Sequence, residues 1–331
     1  MKSGQIDSIN IGLILVSAIL SFHYPLEIFV FSFAILGPLH YLTEINWLDK
    51  KDYFTNNSKR IWLWIGTISS VIIVFPKLYF YTVGPDESSL SSVIQFVNSW
   101  SNSLIFLSLT LALAFVFFKK KMYWIALIVL GIIGAFFLNT NDTYTTVIGL
   151  FIPTIIHVYI FTLIFMLYGA KKSKSKVGYL AVVLAILVPL FFVGVDIPAG
   201  TYEFSDGIKD SYLENNFHVT PVLFAKFIGI SDGKSFFFYE TMELRLMMFM
   251  SFIYLYHYLN WFSKTTIIQW HKSLTKLRSI GIIGAWITMV GLFYYDFRLG
   301  FIVALFFGML HVILEFPLNL MSIKGIFQKD K

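Results

Sequence analysis

The chain has 331 residues, of which 57% are hydrophobic and 13% charged, and its mean hydropathy is +0.74. A soluble domain is about 25% charged, so the composition excludes an ordinary water-soluble globule and describes a chain buried in lipid and in itself. Cysteine is absent, which excludes disulfides, thiolate metal ligands and a cysteine nucleophile; the net charge of +6 needs no nucleic acid to explain it, because the cytoplasmic loops of membrane proteins are rich in Lys and Arg.

A membrane-crossing helix needs about 20 mostly apolar residues, and the sequence offers ten such runs. The first, about 8–23, comes after Lys2 without a small-x-small cleavage signal and is read as a helix rather than a removed leader. His23, Tyr24 and Pro25 form a turn into the second run, about 26–47, and a basic loop with Lys50, Lys51, Lys59 and Arg60 comes next. The third run, about 61–83, contains Pro76, a predicted kink, and ends at the acidic turn of Asp86 and Glu87. The fourth, about 92–118, ends at Lys119, Lys120 and Lys121; the fifth, about 122–138, ends in a short polar loop without a basic residue. The sixth, about 145–170, carries Pro153 and His157 and runs into the basic stretch KKSKSK; the seventh is about 177–197.

Residues 198–240 do not span. Their apolar middle, 217–230, is interrupted by His218, Pro221, Lys226 and Gly229, which fits an interfacial or re-entrant segment. The eighth run, about 241–262, carries Arg245 and His257, with a local ion pair or snorkelling expected for Glu240, Glu243 and Arg245 at its start. A basic loop, 264–278, leads to the ninth run, about 279–295, then to the turn with Asp296 and Arg298 and to the tenth run, about 299–322. Loops after the even runs are basic and those after the odd runs acidic or neutral. By the positive-inside rule both termini are cytoplasmic and 198–240 faces outward. The expected fold is all-α: one polytopic integral membrane helix bundle over 1–331, with 198–240 as an extracytoplasmic cap or interfacial segment.

Two octapeptides far apart in the chain share the spelling G-x-L-H-x-x-x-E: GPLHYLTE, Gly37–Glu44, and GMLHVILE, Gly308–Glu315. Residues four apart share a helix face, and ionisable groups at membrane depth are expensive enough to be functional candidates. His157 and His257 add two imidazoles within apolar runs. All four histidines lie on even runs, which share one direction, and their distances to the next basic loop put them at similar depth. His40, His157, His257 and His311 are therefore candidate ligands of one metal, with Glu44 and Glu315 as catalytic carboxylates in or beside its coordination shell. Imidazole suits Zn, Cu, Fe and Ni, and metal-bound histidine commonly gives its other N–H to a carboxylate. His23, His218 and His271 sit in loops or at interfaces, where solvation is the default; His218 is also a candidate for lining an access route.

At these residues the chain resembles the bacterial beta-carotene dioxygenases of the Brp/Blh type. Gly37–Glu44 is similar to that family's GLPHGxxD, with Glu44 where the family has Asp. Ile155-Ile156-His157 is similar to its isoleucine-isoleucine-histidine, and Tyr256-His257-Tyr258 to its late histidine, although Trp261 stands where the family has a second one. His311 to Glu315 is similar to the last-helix histidine with an acid after it. The four motifs occur in the family's order, and the chain is longer, with extra helices. The resemblance implies a non-haem Fe(II) centre on the four histidines, dioxygen as co-substrate, an apolar lipid-soluble substrate cleaved at a polyene, and a multi-pass place in the bacterial inner membrane among membrane lipids. Two other readings fit the same residues: a proton-coupled transporter using them as a relay, and a Zn-dependent intramembrane lipid hydrolase. No nucleic-acid partner is expected.

The topology is tested by single cysteines introduced at Ser173 and Ser205. A membrane-impermeant thiol reagent should label them from opposite sides; labelling from one side would defeat the ten-span reading.

Overall fold

A computed structural model describes residues 3–50, 59–265 and 269–328 of the chain. Lys2 and Lys51, named above, lie outside the described residues. All regular structure among the described residues is helical, and nine helices or helix runs there are long and apolar enough to cross a membrane. The protein is all-α and polytopic. The chain divides into two compact units, Met1–His40 with Val158–Lys272, and Tyr41–His157 with Ser273–Lys331.

The first unit holds α1 (Ser3–His23), α2 (Pro25–Phe31), a π-helical segment (Ser32–Leu36), the start of α3 (Gly37–Lys50), α9 (Thr162–Ser173), α10 (Lys176–Gly194), α11 (Asp206–Glu214), α12 (Val219–Phe227) and α13 (Thr241–Ser263). Its centre is α13, against which α1, α2, the π segment, α10 and α12 pack. This is the eighth predicted run, and it is not among the nine candidate spans. Three tyrosines, His257 and Asn260 in its second half lower its hydropathy. It is nonetheless buried on all sides, with Met247, Met248, Phe252, Ile253 and Tyr256 at 2% exposure or less. A helix surrounded by protein needs partners for its polar groups rather than a lipid-compatible surface. Arg245 donates to the Val195 carbonyl (2.8 Å), satisfying an orphan acceptor at the end of α10, and Tyr256 donates to Asn10 Oδ1 on α1 (3.4 Å).

Residues 198–240 fold as two short helices. α11 packs on α2 and α12 on α13. Tyr212 and Phe217 form an aromatic cluster with Phe29 of α2, with ring centroids 5.2–6.0 Å apart, spacings that add to simple apolar burial.

The second unit holds the rest of α3, α4 (Lys59–Thr82), α5 (Ser89–Ser99), α6 (Ser101–Phe117), α7 (Lys121–Leu138), α8 (Asp142–Thr146), most of a second π-helical segment (Val147–Phe161), α14 (Lys276–Tyr295) and α15 (Phe297–Phe327). Its centre is α15, packed against α4, α6 and α14. The buried Trp62 indole donates to the Leu314 carbonyl (3.3 Å), tying α4 to α15. Asp296 caps α15: its Oδ1 accepts from the Leu299 N–H (2.8 Å) and its Oδ2 from the Tyr81 hydroxyl (2.8 Å). These bonds hold its carboxyl below the usual range. The turn thus uses Asp296 as a helix cap.

Two expectations about continuity are adjusted. The fourth run is two helices, α5 and α6, meeting at Trp100, whose φ of −99° and ψ of 3° leave the helical region. α4 runs on through Pro76 as one helix. The sixth run is α8, the second π segment and α9 in succession, with Pro153 inside the π stretch. A proline ring clashes with the carbonyl four residues back in α register, and the wider π turn relieves that clash.

α14 and α15 approach closely near their shared turn. A Cβ added to Gly300 would lie 2.6 Å from the Phe293 nitrogen and 2.7 Å from its Cα, backbone atoms that cannot swing aside, whereas one added to Gly284 meets nothing within 4 Å. Gly300→Ala should therefore lower the melting temperature of the solubilised protein, at a cost of about 1–3 kcal/mol. Gly284→Ala should leave it unchanged or raise it. Equal melting temperatures for Gly300→Ala and the parent chain would refute the close approach.

Candidate metal centre

Each unit holds one pair of buried histidines. In the first unit His40, on α3, and His257, on α13, present their Nε2 atoms to each other at 3.1 Å. The other ring nitrogen of His257, Nδ1, lies 2.7 Å from the hydroxyl of Thr162, the first residue of α9. The His40 ring is walled by Tyr258 (centroids 5.1 Å apart) and by the edge of Trp261 (5.5 Å). The indole at position 261, where the resemblance would place a second histidine, thus forms part of the wall around His40.

In the second unit His157, within the second π segment, and His311, on α15, face each other through Nε2 at 2.9 Å. His157 Nδ1 lies 3.1 Å from Glu315 Oε2, with both side chains buried. The carboxyl group of Glu44 lies within hydrogen-bond reach of that of Glu315. Asn319 Nδ2 lies 3.5 Å from Glu315 Oε2, and the Tyr41 ring stacks on His311 with centroids 5.1 Å apart. The two His–Glu octapeptides therefore meet through their acids. Glu44 of the first touches Glu315 of the second, and Glu315 in turn holds His157.

Two imidazoles bound side by side to one ion at about 2.0–2.2 Å keep their nitrogens about 2.8–3.6 Å apart for bond angles of about 90–109°. Both pairs fall within that spacing. In each pair one histidine has its outward nitrogen engaged, by a carboxylate in one case and a hydroxyl in the other, the kind of outer contact that orients metal-bound imidazole. His40, His157, His257 and His311 are all buried and could hold a metal ion. Glu315 stands behind His157, in position to orient it, and Glu44 stands behind Glu315.

His218 starts α12 beside Phe236, with ring centroids 5.6 Å apart, and burial holds its imidazole below the usual range. The sequence reading missed Thr162, Asn319, Tyr41 and Trp261 as parts of the site. Asn319 had a readable signal: it lies four residues beyond Glu315 and eight beyond His311, on the same helix face. Thr162 had none, because its partner is 95 residues away.

Comparison with protein-family models, with curated proteins and with solved structures finds no match for the chain.

Glu315→Gln preserves shape and replaces the carboxyl that faces His157 by an amide. It should weaken metal binding by about 10–100-fold, read as chelator-competition affinity on the purified protein. An unchanged affinity would remove Glu315 from any part in holding the ion.

Proposed function

We propose that the protein is an intramembrane oxygenase in which His40, His157, His257 and His311 bind one non-haem iron and which oxidises an apolar isoprenoid, carotenoid or other lipid with dioxygen, in the bacterial inner membrane. The observation that carries the reading is the doubled pair: two sets of buried imidazoles at ligand spacing, each with an outward nitrogen engaged. An all-histidine donor set with carboxylates close behind it suits iron and leaves positions open for small ligands. The order of the four histidine motifs, which resembles that of the Brp/Blh-type dioxygenases, supports the choice of iron and of a polyene-like substrate.

Bound iron would supply the activation of dioxygen. The chain's own residues do the rest. Glu315 and Thr162 hold two of the four rings in register. Tyr41, Tyr258 and Trp261 wall the imidazoles with aromatic surface and keep water away. Such walls suit an apolar substrate arriving from the lipid.

A second reading has a specific observation in its favour. Glu44, Glu315, His157 and His311 follow one another as neighbouring buried groups in the second unit, an order that a proton relay in a transporter would need. A zinc-dependent lipid hydrolase shares the donor set with the first reading.

Elemental analysis of protein purified without added metal separates the three. Stoichiometric iron is expected. Replacing any one of the four histidines by alanine should sharply reduce the iron content and abolish oxygen consumption with a carotenoid-like substrate, while the protein still inserts. Stoichiometric zinc would favour the hydrolase, and a metal-free protein the relay.

A further inference from the structure

Thr162 is buried, and its Oγ1 has two neighbours at hydrogen-bond distance, the Val158 carbonyl oxygen at 2.8 Å and His257 Nδ1 at 2.7 Å. A threonine hydroxyl carries one hydrogen and two lone pairs. A carbonyl cannot donate, so the hydroxyl hydrogen goes to Val158. Towards His257 the hydroxyl then presents a lone pair, and the proton in that 2.7 Å contact belongs to the imidazole. A neutral imidazole has a single N–H, so a proton fixed on Nδ1 leaves a lone pair on Nε2. That lone pair points at the Nε2 of His40, 3.1 Å away.

We infer that Thr162 is a positioning residue that locks His257 in the Nδ1–H tautomer and thereby keeps its Nε2 ready to bind a cation. This rests on the metal reading above. In the second unit Glu315 has the same task towards His157, with a carboxylate in place of a hydroxyl. A hydroxyl can do it only because Val158, one turn back in the same helical run, takes its hydrogen. The back-bond to the carbonyl four residues earlier is common for threonine in helices; here it determines the polarity of the contact with His257.

The test uses full-length purified protein with Thr162→Val, which keeps nearly the same shape without the hydroxyl, and Thr162→Ser, which keeps the hydroxyl. Zinc alone is the binding probe, read by chelator competition, and nitrogen NMR of ¹⁵N-histidine-labelled metal-free protein reports the His257 tautomer. The parent and Thr162→Ser should show the Nδ1–H form and equal affinity. Thr162→Val should show a mixture of tautomers and bind zinc about 10–100-fold more weakly. A Thr162→Val protein with the parent's tautomer and affinity would overturn the inference. If the parent binds no zinc, the metal reading fails instead, and the tautomer comparison alone still decides whether Thr162 sets the ring's proton.

Discussion

A polar group taken out of water must find a partner inside the protein, at a cost of several kcal/mol if it does not. In this chain that requirement bears on four imidazoles and two carboxyl groups, each with no more than 8% of its surface exposed. In each unit it is met the same way. A central helix contributes one histidine, His257 on α13 or His311 on α15. The second histidine comes from a helix containing π turns: His40 lies just after Ser32–Leu36, and His157 lies within Val147–Phe161. A π turn widens the helix and rotates the next turns onto a different face. It lets an imidazole meet its partner without disturbing the packing of the turns on either side. π turns are frequent at functional sites for this reason.

The central position of α13 has a consequence for how hydropathy is read. Apolarity measures what a helix shows to lipid, and α13 shows lipid little. Peripheral helices such as α7 and α14 are the apolar ones with large exposed side chains, among them Phe136, Phe137, Leu277 and Ile280. The helix with the most tyrosine, asparagine and histidine can sit deepest because neighbours answer its polar atoms one by one, as Asn10 answers Tyr256 and Thr162 answers His257. The same holds at the end of α10, where Arg245 meets the Val195 carbonyl.

The helical runs and the histidines were legible from sequence because each depends on local composition: a stretch of about 20 apolar residues, or an ionisable residue inside one. Pairing was not legible. The repeat of G-x-L-H-x-x-x-E put each acid on one helix face with a histidine but did not say which imidazole it would meet. Glu315 meets His157, on another helix. The π segments were hidden as well, since apolar side chains fill α and π turns alike and only the backbone register distinguishes them. Trp100 ends α5 by a backbone conformation that no residue in the run 92–118 announces. Thr162 looked like any other small polar residue in an apolar run, and its meaning comes from a distant partner.

The two histidine pairs share one geometry. In the second unit His157 has a carboxyl oxygen of Glu315 3.1 Å from its outward nitrogen and the Nε2 of His311 2.9 Å from its inward one. In the first unit His257 has the Thr162 hydroxyl 2.7 Å from its outward nitrogen and the Nε2 of His40 3.1 Å from its inward one. Two neutral imidazoles share such an inward contact when one ring donates and the other accepts. A metal ion would instead be met by a lone pair from each ring at nearly the same nitrogen spacing. An outward contact that takes a ring's proton leaves its inward nitrogen as the acceptor, so close inward nitrogens, outward partners and deep burial together suit a cation met by imidazole lone pairs.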